Sequence, residues 1–128
     1  MRYLFDTHAI VWARSGDARL GAQAEKVIAS NSAEDFAIAD ISLLEVSLLL
    51  EKKRIESPLS TIIFLERMIA GMRTLPITLE IAALAVRIPL PQADPFDRLI
   101  VSTAIEHQLV LITRDRAIQE SGLVETVW

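Results

Sequence analysis

A length of 128 residues and a net charge of −4, from 13 Lys plus Arg against 17 Asp plus Glu, set the class. They describe one domain spanning residues 1–128, and they argue against a protein held on nucleic acid by charge alone. With no cysteine and only His8 and His107, disulfides, thiolate zinc sites, cysteine nucleophiles and a histidine-rich metal site are all excluded. The chain opens Met1-Arg2-Tyr3-Leu4-Phe5-Asp6, where an acid arrives too soon for the apolar core of a signal peptide. That points to the cytoplasm. Residues 3–5 suit a buried strand, and the apolar stretch 9–12 belongs to the start of a helix. A helix is expected over 20–30, with Leu20, Ala24, Val27 and Ile28 at helical spacing. Residues 36–39 read as a second strand. Helices over 42–53 and 59–72 follow, and both carry apolar residues on more than one face.

In the second of these, Leu59, Ile62, Ile63, Leu65, Met68, Ile69 and Met72 exceed one core stripe. The hydrophobic share of 52% and mean hydropathy of +0.36 also leave apolar surface beyond a core. A small domain has limited interior, so the excess suits a groove for a partner helix or a dimer face. Charges interrupt every apolar run before membrane-spanning length. Residues 74–77 form a third strand, whose Pro76 marks an edge or a strand end. Helices over 79–87 and 95–108, a clear strand at 110–112 and a last one at 125–127 complete the chain. Short apolar strands alternating with helices mean an α/β fold with a parallel sheet covered on both faces. Ligands of such folds bind beyond the carboxyl ends of the strands.

Four acids fall near that edge. Asp6 follows the first strand, and Asp115 sits in Thr113-Arg114-Asp115 after the 110–112 strand. Glu45 and Asp97 lie in the first turns of two helices. Each has a second reading as a cap. Asp6 and Asp115 suit N-cap positions, Ser42-Leu43-Leu44-Glu45 has the form of a capping box, and Asp94-Pro95 is a natural helix start. Helix caps, however, have no reason to converge. Four carboxylates sharing one edge repel each other unless a cation sits among them. Mg²⁺ or Mn²⁺ suits these hard oxygen donors, whereas zinc lacks its usual ligands here. Such a centre makes water a usable nucleophile near neutral pH and stabilises a leaving oxyanion, which points to phosphodiester hydrolysis.

These residues also carry a family resemblance that covers essentially the whole chain. Asp6-Thr7-His8-Ala9-Ile10-Val11-Trp12 resembles the opening motif of PIN-domain ribonucleases, in particular the VapC-type toxins of toxin–antitoxin modules. Ile41-Ser42-Leu43-Leu44-Glu45-Val46 is similar to the second motif and Leu111-Ile112-Thr113-Arg114-Asp115 to the fourth. Asp94-Pro95-Phe96-Asp97-Arg98-Leu99-Ile100 resembles the third and is the most specific. The resemblance implies a three-layer α/β/α sandwich, Mg²⁺- or Mn²⁺-dependent cleavage of RNA, a homodimer and a cognate antitoxin. It carries over Asp6, Glu45, Asp97 and Asp115 as the catalytic and metal-binding quartet, with Thr7 and Thr113 supporting it. One departure is visible: Gln92-Ala93 stands where close relatives often have His-Arg before the third motif.

Other residues have competing roles. Asp94 is close enough to join the acids but suits an N-cap. Arg98 and Arg114 suit either phosphate contacts or pairing with the carboxylates while no metal is bound. His8 adjoins the acids, and a lone histidine at a helix start is more often structural. Lys52-Lys53-Arg54 suits a helix C-terminus better than an RNA contact. Trp12 and Trp128 suit packing better than base stacking. Two other classes compete with a toxin-type nuclease. A binding module without catalysis would be free to lose one of the acids. A phosphatase with a nucleophilic Asp6 would need an acid where His8 stands and a late lysine, and neither is present.

Overall fold

The computed structural model describes residues 1–128. Strand β1 (Tyr3–Phe5) is buried at every position, as are all four residues of β2 (Phe36–Ala39). With β3 (Arg73–Leu75), β4 (Val110–Ile112) and β5 (Thr126–Val127) they form a five-stranded sheet in the order β3-β2-β1-β4-β5. Every pairing is parallel. The three central strands, β2, β1 and β4, are short and uniformly apolar, as burial on both faces selects, whereas the edge strands β3 and β5 carry Arg73, Thr74 and Thr126. Register divides their side chains between two cores. Tyr3 and Phe5 join Phe36, Ile38 and Ile112 on one face, while Leu4 joins Ala37, Ala39 and Leu111 on the other.

Helices cover both faces. Helices α1 (Thr7–Ser15), α2 (Ala22–Ser30), α3 (Ile41–Glu51) and α4 (Thr61–Ile69) send Ile10, Ala24, Val46 and Met68 into the first core. Phe36 stacks between Tyr3 at 5.5 Å and Phe5 at 5.1 Å there. Helix α5 (Leu79–Ala85) and its following turn bring Leu84, Ile88 and Leu90 to the second core. Helices α6 (Pro95–His107) and α7 (Arg116–Ser121) add Ile100, Val101, Ala104 and Ile118. The result is the three-layer α/β/α sandwich with a parallel sheet that the sequence implies.

Several boundaries move, each for a local reason. The expected helix over 59–72 is shorter. It starts after Ser60, whose hydroxyl accepts from the Ile63 amide, and stops before Gly71 at φ +79°. The helix expected from residue 20 begins at Ala22, because Gly21 is its N-cap. A Cβ there would lie 2.5 Å from the Trp128 carbonyl carbon, so only glycine admits the chain end. Strand β3 ends just before Pro76 and lies at the sheet edge. The capping box at 42–45 does not form. Helix α3 already starts at Ile41 after an Asp40 cap, so Ser42 is inside the helix and Glu45 is in its second turn rather than its first. The Ser42 hydroxyl instead meets Thr7 Oγ1 at 2.9 Å. The apolar excess of α3 and α4 stays at the surface, with Leu44 and Ile62 more than half exposed.

Candidate active site

The pocket beyond the carboxyl ends of the strands follows from the chain's exits. After β1, the Asp6 amide donates to the Ile112 carbonyl at 2.9 Å, which extends the β1–β4 ladder by one residue and fixes Asp6 at the sheet edge. Asp6 is the N-cap of α1. Its Oδ1 accepts from the Thr7 amide at 2.8 Å and its Oδ2 from the Thr113 hydroxyl at 2.7 Å. Thr113, fully buried after β4, also accepts from the Asp115 amide at 3.0 Å. One hydroxyl therefore ties the exits of β1 and β4 together. Asp115 caps α7 by accepting from Ile118 N at 3.1 Å. Asp94 caps α6 with Pro95 next in line, and its Oδ1 accepts from the Asp97 amide at 2.9 Å.

These exits bring Asp6, Glu45, Asp94, Asp97 and Asp115 to one pocket of about 350 Å³, together with His8, Ala9, Trp12 and Arg114. Capping and membership of the pocket coexist at Asp6, Asp94 and Asp115. Asp97 and Asp115 also border a second pocket, of about 200 Å³, lined by Gln92 and Ala93. The family departure at 92–93 thus lies beside the acids. Gln92 sits there at φ +67°, where a non-glycine residue is uncommon.

No ion pair relieves these acids; the chain's ion pair is Arg19–Asp17, at 2.8 Å. Burial first, and then the charges of Asp6, Asp94, Asp115 and Glu45, push the Asp97 carboxyl up to about 7. Burial also raises Asp6, with Asp115 adding to it and the bonds from Thr113 and Thr7 and the nearby His8 opposing it. Glu45 is raised by burial and then by Asp6 and Asp94. Thr7 draws Glu45 the other way, yet the Thr7 hydroxyl is engaged with Ser42 and Glu45 Oε1 is buried without a hydrogen-bond partner. Unrelieved negative charge and an orphaned buried oxygen are what a cation would correct. No three acidic or histidine side chains close to metal-ligating distance of one point. The donor set still fits Mg²⁺ or Mn²⁺, because such ions bind through one or two carboxylates and keep several waters.

Arg98 is placed away from the acids and takes neither role expected of it. Its Nη1 donates to the Ala85 and Ile88 carbonyls, both at 3.1 Å, and its Nη2 to Leu90 at 2.9 Å. It closes the carboxyl end of α5, whose last carbonyls have no helical partner. Arg114 does line the pocket, but its guanidinium lies over the Trp12 ring at 5.4 Å rather than on a carboxylate. His8 is exposed at the pocket, 5.7 Å from Trp12. Lys52, Lys53 and Arg54 are exposed just past α3 and line no part of it. Sequence reading missed two positions. Ser42 looked like a cap and is instead the buried partner of Thr7. Arg14 donates to the Met68 and Ala70 carbonyls at 2.9 and 2.6 Å, closing α4, and nothing in its neighbours in sequence signals this.

A PIN domain family model matches residues 3–122. The chain belongs to the PIN-domain family. The four motifs around Asp6, Glu45, Asp97 and Asp115 anticipated this membership. This PIN domain is 37% identical over 117 residues to ribonuclease VapC22 of Mycobacterium tuberculosis, covering 91% of this chain and 88% of that protein. Among solved structures it resembles DNA-bound VapBC from Salmonella typhimurium, with TM-score 0.75, 16% identity, and 99% and 97% of the two chains covered. It also resembles FitAcB from Neisseria gonorrhoeae, with TM-score 0.72, 20% identity, and 98% and 96% covered. At those identities the structural likeness speaks for the fold, and the fold agrees with the α/β/α arrangement above.

Proposed function

We propose that this chain is a divalent-metal-dependent endoribonuclease, the toxin of a toxin–antitoxin pair, acting as one domain over residues 1–128. The observation that carries the reading is a pocket of carboxylates at the strand ends, none of them in an ion pair, with Asp97 raised to about 7. Kinship with a protein named ribonuclease VapC22 supports the substrate class, and the resemblance of the four motifs to VapC-type toxins supports the toxin role. Asp6, Glu45, Asp97 and Asp115 are the proposed metal-binding and catalytic quartet, and Mg²⁺ or Mn²⁺ the proposed ion. When bound, the ion supplies charge neutralisation, an activated water and a polarised phosphoryl oxygen. The remaining work belongs to the chain. Thr113 and the Thr7 amide hold both Asp6 oxygens in fixed directions, so that no reorientation is needed on binding. Glu45 lines the pocket and carries a buried Oε1 that has no hydrogen-bond partner and is therefore free to accept. Asp97, raised to about 7, titrates near neutral pH, so its charge responds to an arriving cation.

A cognate antitoxin and a second copy of the chain are the proposed protein partners. Exposed Leu44 and Leu48 on α3, and Ile62 and Ile63 on α4, support a protein-covered face. No helix is long and apolar enough to cross a membrane, and the reading implies action in the cytoplasm. The test is cleavage of structured RNA by wild type and by Asp97→Asn, with Mg²⁺, with Mn²⁺ and with EDTA. Cleavage that needs the metal and Asp97 supports the proposal. Cleavage that persists in EDTA and in the variant sinks it.

A further inference from the structure

Three arginines adjoin the site or its tryptophan, and their partners set them apart. Arg98 is saturated by three carbonyls. Arg19 lies over Trp12 at 4.8 Å, but its guanidinium is tied to both Asp17 oxygens, at 3.0 and 2.8 Å. Arg114 is exposed, lines the acidic pocket, and has no hydrogen bond or ion pair within the chain. Its one ordered contact is the Trp12 ring at 5.4 Å. That ring is itself fixed: it is 8% exposed and meets Trp128 edge-on at 5.8 Å. Stacking restrains the guanidinium while leaving its in-plane N–H donors free.

A polyanion approaching this pocket meets carboxylates, which repel it. A cation at the rim with free, coplanar donors answers that repulsion, and forked donation to phosphate oxygens is what guanidinium geometry suits. We propose that Arg114, held on Trp12, binds a phosphate of the RNA strand flanking the bond that is hydrolysed. This rests on the ribonuclease reading of the pocket. It gives Arg114 a substrate-binding role and gives Trp12 the role of positioning residue. Arg2 provides an internal control. It too is exposed and stacked on an aromatic ring, Tyr3 at 5.3 Å, but it precedes β1 at the opposite end of the sheet.

The experiment is steady-state cleavage of a single-stranded RNA across a range of salt concentrations, for wild type, Arg114→Ala, Arg114→Lys and Arg2→Gln. Melting curves confirm that each variant is folded. Arg114→Ala is expected to raise KM roughly 5- to 10-fold with kcat within about twofold, as loss of one charge-assisted contact implies. Its slope of log kcat/KM against log salt should be shallower by about 0.7, the value for one lost phosphate contact on a single strand. Arg114→Lys keeps the charge, so it should keep the wild-type slope while recovering only part of KM. Arg2→Gln should match wild type in both. Wild-type KM and slope in Arg114→Ala, with wild type active, overturn the Arg114 proposal alone. A raised KM with an unchanged slope also overturns it, because the lost contact is then not a phosphate. Absence of RNA cleavage by wild type overturns this proposal and the ribonuclease reading together.

Discussion

Replacing Asp97 with asparagine removes a charge that the folded chain accommodates badly when no metal is bound. The carboxyl is lifted from 3.8 to about 7 by burial and by its acidic neighbours. At full strength that is about 4 kcal/mol of interaction against the ionised form. The pocket is open to solvent, and screening there reduces the figure to about 1–2 kcal/mol. Between about pH 4 and pH 7 the folded state holds a proton that the unfolded chain has released, so stability falls as pH rises through that window. Above pH 7 the loss is complete. The Asp97 side chain accepts no hydrogen bond that asparagine would forfeit, since the bond at this position joins its backbone amide to Asp94. In EDTA at pH 8, Asp97→Asn should therefore melt about 3–6 °C above wild type. At pH 3, below the unfolded value of 3.8, the carboxyl is protonated in both folded and unfolded chains, and the two melting points should nearly coincide. Added Mg²⁺ at pH 8 should raise wild type more than the variant, because the ion relieves a repulsion that the variant lacks. Thermal unfolding followed by circular dichroism reads all of this. A variant that melts below wild type at pH 8, or that differs from it equally at both pH values, refutes the account of strain at Asp97.

Other substitutions separate the roles assigned above. Thr113→Val removes the hydroxyl that donates to Asp6 and accepts from Asp115 N, so RNA cleavage should fall about 10- to 100-fold. That bond lowers the Asp6 carboxyl, so the acid limb of the rate profile should move to higher pH in the same variant. Arg98→Ala leaves three carbonyls without their donor and should cost about 1–3 kcal/mol in urea denaturation. KM for RNA should stay unchanged below the melting transition, and a raised KM at unchanged stability would return Arg98 to the substrate. Gly21→Ala forces its Cβ into Trp128 and should destabilise by about 1–3 kcal/mol. Deleting Trp128 in that background should remove most of the alanine's penalty, and an undiminished penalty would mean that the clash lies elsewhere.

The sequence by itself determined most of the elements, the two-faced burial of the central strands and which acids meet beyond the strand ends. Runs such as Tyr3-Leu4-Phe5 and Val110-Leu111-Ile112 are too short and too uniformly apolar for any other place. Asp-Pro at 94–95 announces its own helix start through proline's fixed φ and missing amide. These signals are local, and local chemistry is what a sequence displays. The tertiary structure alone decided the partners. Ser42 fits a capping box by spacing, but α3 starts one residue earlier and delivers its hydroxyl to Thr7, 35 positions away. Arg98 and Arg114 each lie one residue from a candidate metal-binding acid and look alike in sequence. One is drawn to the open carbonyls beyond α5, and the other stays free on Trp12 because packing put a ring beneath it. A long flexible cation takes whichever unpaired acceptor or ring face the fold brings within reach, and that reach is a property of the assembled layers rather than of the neighbouring letters.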